Sequence, residues 1–329
     1  MTDENLQQAA KVLSGATEVA IACHMNPDPD AFGSMLGLSN FLRARGVTTT
    51  CSFGNDPFEP PRWVTLLPGH DTLVPPAQFP KAPEVMVTCD CASLDRLGNL
   101  VGRVQKAAEV IWIDHHVSND GLGTVPLIDP AASSTCEMVF RLITAMGGPL
   151  SAESAACLYA GLVTDTGRFQ YEAVKPETLE VAAALRAQPF DHTKLVQGLY
   201  EDNGLEYLHL MGLALQRLEF DESADLVWTY LTRADLSNAG VGPTETDDLI
   251  DIIRTARESD VAAVFKQQQD GRFKISSRSR GGHDLAKVAS SFGGGGHRLA
   301  AGYTSKVGLE ESVKNFREAL SSNGDTPAT

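Results

Sequence analysis

Four short apolar runs in the first half of the chain, residues 19–23, 47–53, 84–89 and 110–113, constrain the fold most. Helix-like stretches at 31–45 and 94–106 and a proline-dense stretch at 54–83 separate them. Runs this short and this continuously apolar fit strands buried on both faces, and strands that alternate with helices imply crossover connections and a parallel sheet. The stretch 54–83 holds eight of the 17 prolines and is expected to be irregular. From 133 to about 188 the pattern turns mostly helical.

The second half changes character. Residues 191–218 read as one or two helices, 225–232 as a strand and 244–258 as a helix. A hairpin follows, with 261–266 and 273–277 joined by a turn at Asp270-Gly271. Residues 284–290 read as helix, 300–305 as strand and 309–321 as a final helix. The 329 residues suit two domains of roughly 150 residues each. The expected division is 1–190, a helical linker over 191–220, and 221–329.

Composition narrows the classes of partner. The formal net charge of −15 argues against coating long duplex nucleic acid through a basic surface, while leaving room for a small site that takes a short nucleotide. No apolar run reaches the ~18 residues of a membrane span, and the first residues lack the pattern of a signal peptide. The six cysteines form no C-x-x-C and sit mostly inside apolar runs, so buried free thiols and a cytoplasmic setting are expected.

The chemistry gathers where strands end. The first run leads into His24-Met-Asn-Pro-Asp28-Pro-Asp30, the third ends in Asp90, and the fourth ends in Asp114-His115-His116. Ligands of open α/β sheets sit outside the carboxyl ends of the strands, so three segments deliver carboxylates and imidazoles to one rim. Asp165, in Gly-Leu-Val-Thr-Asp-Thr-Gly, is a fourth candidate. Pro27 and Pro29 push the residues before them into extended backbone. Two extended residues advance by roughly 6.6 Å, which would place Asp28 and Asp30 on one face, suited to two adjacent ions. Catalytic metal pairs lie about 3.5–4 Å apart. Oxygen and imidazole donors without thiolate suit Mn²⁺ or Mg²⁺, and several histidines favour Mn²⁺. The bland alternatives are a turn at the Asp-Pro pairs and a helix cap at Asp30.

In the second half, Gly293-Gly-Gly-Gly-His297-Arg-Leu-Ala-Ala-Gly302 offers backbone amides for close approach to an anion. The alternative is a loop that closes the preceding helix. Ser276-Ser-Arg278-Ser-Arg280 is a basic, hydroxyl-rich strand end suited to phosphate.

These motifs, in this order, resemble the DHH/DHHA1 phosphoesterases, a family named for the triplet present here as Asp114-His115-His116. Size and layout are most similar to the bacterial nanoRNase and pAp phosphatase branch, which includes cyclic dinucleotide phosphodiesterases. The resemblance implies an α/β fold: an N-terminal parallel-sheet DHH domain with flanking helices, a smaller C-terminal α/β DHHA1 domain, and a cleft between them. It also implies two Mn²⁺ ions, replaceable by Mg²⁺ or Co²⁺. One would be held by His24, Asp28 and Asp90, the other by Asp30, Asp90, His115 and Asp165. His116 would lie against the scissile phosphate or leaving oxygen, and Asp114 would orient the histidines. Arg278 with Gly294, Gly295, Gly296 and His297 would grip a terminal phosphate or nucleotide.

The expected activity is hydrolysis of 2–5-nucleotide RNA and dinucleotides to 5′-mononucleotides and of pAp to AMP, with cyclic di-AMP as a further candidate. Long duplexes and membranes are not expected partners; a homodimer is implied by resemblance. The rival readings are a single-strand exonuclease, a family II pyrophosphatase and a catalytically silent nucleotide-binding regulator. The first lacks a basic, aromatic-rich module here, the second lacks the Gly-Gly-Gly-His signature, and the third predicts a lost ligand where none is lost.

Overall fold

The computed structural model describes residues 2–119 and 121–323. It divides into two compact units between Asp202 and Asn203.

The first unit is built on five parallel strands: β1 (Glu18–Cys23), β2 (Thr48–Phe53), β3 (Val85–Cys89), β4 (Glu109–Asp114) and β5 (Val125–Ile128), in the order β2-β1-β3-β4-β5. Alternate residues of β1, β3 and β4 feed two cores. Val19, Ile21, Val87, Ile111 and Ile113 pack against helices, while Ala20, Ala22, Met86, Val110 and Trp112 pack against Phe79, Leu97 and Leu100. That two-sided burial is why the runs are apolar without alternation. The helices are α1 (Asp3–Gly15), α2 (Pro29–Ala44), α3 (Val101–Val104), α4 (Thr135–Met146), α5 (Ala152–Asp165), α6 (Pro176–Arg186) and α7 (His192–Tyr200). Strand order reverses on either side of β1, so the crevice at the carboxyl ends of β1 and β3 is the topological switch point, the usual place for a ligand.

Helices α2 and α5 approach closely at Gly33 and Gly161, where backbone meets backbone, and at Gly37, where the Leu158 side chain fills the space a Cβ would need. A Cβ on Gly33 would stand 2.5 Å from the Cys157 carbonyl oxygen, and one on Gly161 would stand 2.7 Å from Asp30 Cα. This crossing sets the start of α2 beside the end of α5.

The second unit carries a six-stranded sheet, β10-β11-β9-β8-β7-β6. Its strands are β6 (Glu219–Asp221), β7 (Leu226–Leu231), β8 (Val261–Gln267), β9 (Phe273–Ser279), β10 (Gly295–His297) and β11 (Ala300–Ser305). Only β7 and β8 pair in parallel. One face packs on α11 (Leu285–Ser291) and α12 (Leu309–Asn323), the other on α8 (Leu205–Gln216) and α10 (Leu249–Ile253), with α9 (Arg233–Ala239) following β7. Of the segment 191–220, α7 joins the first unit through Leu195, and α8 joins the second through Tyr207, Leu210 and Ala214.

Several sequence expectations change. The helix expected over 94–106 is a 3₁₀ segment, Leu94–Leu100, followed by the single turn of α3. It breaks at Gly98 (φ 52°), where the Gly54 carbonyl and Met25 press on the backbone. The helix expected over 244–258 reduces to the 3₁₀ turn Pro243–Thr246 and α10. Strand β5 escaped notice because it is four residues long and contains Pro126, which an edge strand tolerates. All six cysteines are free and buried, as expected.

Candidate metal centre

Every strand-end residue singled out in the first unit arrives at one place. Strand β1 runs directly into His24, β3 into Asp90, and β4 closes on Asp114 before His115 and His116. Asp28 is the N-cap of α2: its Oδ1 accepts from the amides of Asp30 and Ala31, both at 3.0 Å. Pro29 occupies the first helical position, where its fixed φ fits and its missing N–H is not needed. The extended spacing expected between Asp28 and Asp30 is therefore corrected. Asp28 is extended, but Asp30 already belongs to the helix. Asp165 closes α5, delivered to the same place by the glycine-mediated crossing with α2.

His24, Asp28 and Asp90 each present a ligand atom, and these atoms lie within 4.8 Å of one another; Asp30, His115 and Asp165 form a second such group. Asp90 stands between the two. Its Oδ2 is 3.4 Å from His24 Nε2 and its Oδ1 is 3.7 Å from His115 Nε2. His115 Nε2 is also 3.3 Å from Asp165 Oδ2. The opposite ring nitrogens face carbonyls: His24 Nδ1 is 2.8 Å from the Met25 oxygen and His115 Nδ1 is 3.4 Å from the Ala132 oxygen. Arg96 Nη2 also lies 3.1 Å from His24 Nδ1. Both imidazoles thus turn their Nε2 atoms to the acids, as metal-ligating histidines do.

His116 is held differently. Its Nδ1 donates to Asp114 Oδ1 at 2.7 Å, and Asn119 Nδ2 donates to Asp114 Oδ2 at 2.7 Å. Asp114 is fully buried and spends itself on orientation. Asp90 adopts φ 56°, a left-handed backbone that an aspartate takes only where its surroundings impose it.

Crowded charge sets the proton affinities. Burial raises Asp30, and the charge of Asp90 raises it further, to about 7. Burial and the charges of Asp30 and Asp90 push Asp165 well above the usual carboxylate range. Burial alone would raise Asp90 too, but hydrogen bonding from His24 and the facing imidazoles hold it well below that range. For His24, burial works against charge, yet Asp28 and Asp90 lift it to about 10. His115 and His116 are raised over the cost of burial, the first by the charge of Asp90 and the second by its bond to Asp114. Among the described residues, no lysine or arginine pairs with Asp28, Asp30, Asp90, Asp114 or Asp165. The four carboxylates of Asp28, Asp30, Asp90 and Asp165, unpaired with lysine or arginine, and two aimed Nε2 atoms fit divalent cations.

The residues expected to contact substrate lie in the second unit. Arg278 is on β9, its Nε 3.5 Å from Asp251 Oδ1. The glycine run is not a loose loop: Gly295, Gly296 and His297 form edge strand β10, paired with Gly302, Ala301 and Ala300. A Cβ on Gly294 would meet the Gly302 carbonyl at 2.3 Å, so close strand contact requires glycine there. Gly295 and Gly296 line a groove of about 370 Å³ with Lys274, Ser276 and Arg278.

Two supporting residues escaped the sequence reading. Asn119 steadies Asp114, and Thr135 Oγ1 donates to Asp90 Oδ1 at 2.9 Å. Ser134-Thr-Cys-Glu137 was legible as a helix-start pattern, but nothing in the spacing tied it to Asp90.

Comparison with known proteins places this geometry. Residues 18–162 match the DHH family, N-terminal domain, and residues 227–323 match the DHHA1 domain. A bifunctional oligoribonuclease and PAP phosphatase NrnA of Thermus thermophilus is 33% identical over 319 residues, 96% of this chain and 94% of that protein. The chain belongs to the DHH family. A Bacillus subtilis protein of the same name is 30% identical over 283 residues, 85% of this chain and 86% of its own length. The crystal structure of an exopolyphosphatase-related protein from Bacteroides fragilis superposes with a TM-score of 0.90 at 26% identity, covering 98% of this chain and 96% of that one. DHH phosphoesterases are metal-dependent hydrolases, and the clustered acids and imidazoles are where this DHH chain has the donors for metal.

Proposed function

We propose that this DHH chain is a two-metal phosphoesterase. It hydrolyses 2–5-nucleotide RNA and dinucleotides to 5′-mononucleotides and pAp to AMP, with cyclic di-AMP as a further substrate. The observation that carries the reading is the pair of donor groups, His24/Asp28/Asp90 and Asp30/His115/Asp165, with Asp90 between them. The oligoribonucleotide and pAp classes are supported by the names of the Thermus and Bacillus relatives, while the length range and cyclic di-AMP rest on the sequence resemblance. Mn²⁺ is the proposed ion, supported by the mixture of imidazole and carboxylate donors. The catalytic domain is taken as 1–190, the linker as 191–220 and the substrate-binding domain as 221–329. A cytoplasmic homodimer without long duplex or membrane partners completes the proposal; acidity supports the first exclusion, and among the described residues no helix is long and apolar enough to cross a membrane.

Bound ions would polarise the phosphate and activate water as nucleophile. The chain's own residues do the rest. Asp90, shared between the donor groups, fixes their spacing. Asp114 keeps a proton on His116 Nδ1 and raises the ring's affinity for a second one, so His116 Nε2–H is placed to give a proton to the leaving oxygen. Lys274, Ser276 and Arg278 beside the glycine strand offer cationic and neutral donors to a terminal phosphate. A grip on one end of a short substrate would lower the entropic cost of ordering the rest of it.

The test is purified protein with Mn²⁺ against pAp, RNA of two to five nucleotides, linear pApA, cyclic di-AMP and pyrophosphate, with chromatographic product analysis. Release of 5′-mononucleotides from dinucleotides and AMP from pAp is expected. Activity on pyrophosphate alone would overturn the reading.

A further inference from the structure

One turn of helix holds a carboxylate from each donor group. The amides of Thr135 and Cys136, which open α4, donate to Asp30 Oδ2 at 2.7 Å and Asp30 Oδ1 at 2.9 Å. The Thr135 hydroxyl donates to Asp90 Oδ1 at 2.9 Å, the shortest side-chain contact that carboxylate makes, since the imidazoles stand off at 3.4 and 3.7 Å. The bond from the hydroxyl to Asp90 is not part of helix capping. Ser134 is the N-cap of α4, its hydroxyl accepting from the Glu137 amide at 3.1 Å, so the hydroxyl of Thr135 is spare for a tertiary partner. Thr135, Asp90 and Asp30 are all buried, at 0%, 2% and 1% exposure, so water cannot substitute for the missing donor.

We propose that Thr135 is a positioning residue that fixes the Asp90 carboxylate between the two cation sites and keys it to Asp30 through the first turn of α4. The inference rests on the two-ion reading of the site. Asp90 Oδ2 faces the His24 group and Oδ1 faces the His115 group, and rotation about the side-chain bonds would favour one at the other's expense. The left-handed backbone of Asp90 fixes where the side chain starts, and Thr135 fixes where one oxygen ends. Because the same residue's amide holds Asp30, the relation between the two carboxylates is set by helix geometry and not by two independent loops.

The experiment measures Mn²⁺ binding directly, by calorimetric titration of chelator-stripped full-length protein, alongside thermal melts. Thr135→Val removes the hydroxyl at nearly constant shape and Thr135→Ser keeps it. Thr178→Val is the structural control: that buried hydroxyl donates to Glu137 Oε2 at 3.0 Å, away from the ions. Thr135→Val is expected to weaken Mn²⁺ binding by about 10–100-fold, with Thr135→Ser close to wild type. Thr178→Val is expected to lower the melting temperature while leaving Mn²⁺ affinity unchanged. Should Thr135→Val fail to fold, Thr135→Ala carries the same comparison. Wild-type affinity in a folded variant without the hydroxyl overturns the inference, as does equal loss of affinity in Thr178→Val. Absence of Mn²⁺ binding by the wild type overturns the two-ion reading itself, a distinguishable result.

Discussion

Gly161→Ala tests whether the α2–α5 crossing places Asp30, although residue 161 itself bears no functional group. The new methyl would stand 2.3 Å from Cys136 Sγ, 2.7 Å from Asp30 Cα and 2.8 Å from Asp30 Oδ1. Cys136 Sγ and Asp30 Oδ1 belong to side chains that can give, but Asp30 Cα is backbone and cannot rotate aside; reaching an ordinary contact of about 3.4 Å from it asks for a shift of roughly 0.7 Å. Overpacking of this kind costs about 1–3 kcal/mol, offset by about 1 kcal/mol from replacing a helical glycine with alanine. Net destabilisation of up to about 2 kcal/mol should lower the melting temperature of a unit this size by several degrees, roughly 2–4 °C per kcal/mol. The functional loss should be larger than the stability loss. A displacement approaching 1 Å in a positioned group can cost about 10²-fold in rate. The assay is Mn²⁺-dependent hydrolysis of pAp, with Mn²⁺ titration and a melt on the same preparation. Gly212→Ala is the control, since a Cβ there meets nothing within 4 Å and should be neutral to slightly stabilising. Wild-type Mn²⁺ affinity and turnover in Gly161→Ala would refute the reasoning that this crossing positions the acid.

Other outcomes follow from the same geometry. Asp90→Ala should abolish turnover while leaving far-ultraviolet circular dichroism near wild type; near-normal Mn²⁺-dependent activity would sink the shared-carboxylate assignment. His116→Ala should lower kcat by about 10²–10⁴-fold with Mn²⁺ affinity retained, and parallel loss of both would make it a ligand and not a proton donor. Chelator-stripped protein should lose stability as pH rises from 7 to about 10, because His24, raised to about 10, binds a proton in the folded chain that the unfolded chain has already released. His115 and His116, also raised, act in the same direction. The melting-point gain on adding Mn²⁺ should grow over that range, as fewer protons compete for the donors. A stripped-protein melting temperature that climbs between pH 7 and 9 would contradict this.

The parts of this fold legible in the sequence are those written in local pattern. Strands buried on both faces must be continuously apolar, so β1, β3 and β4 stood out and pointed at the acids that follow them. Residues whose role is a tertiary contact carried no such mark. Thr135 reaches Asp90 across 45 positions and Asn119 reaches Asp114 from within a turn, and neither spacing is periodic. The Asp-Pro-Asp segment was read one residue too far. The rule that proline extends its predecessor holds at Asp28 and fails at Asn26, whose φ is 53°, and Pro29 itself starts a helix and carries Asp30 with it. In the second unit the glycine run suggested ligand contact or a loop, whereas its first structural duty is to let β10 lie against β11.

The central claim is that Asp90 joins two cation sites. Anomalous diffraction from crystals grown with Mn²⁺ tests it most directly. Two peaks are expected, one contacted by His24, Asp28 and Asp90, the other by Asp30, Asp90, His115 and Asp165. A single peak, or two peaks of which only one touches Asp90, would contradict it.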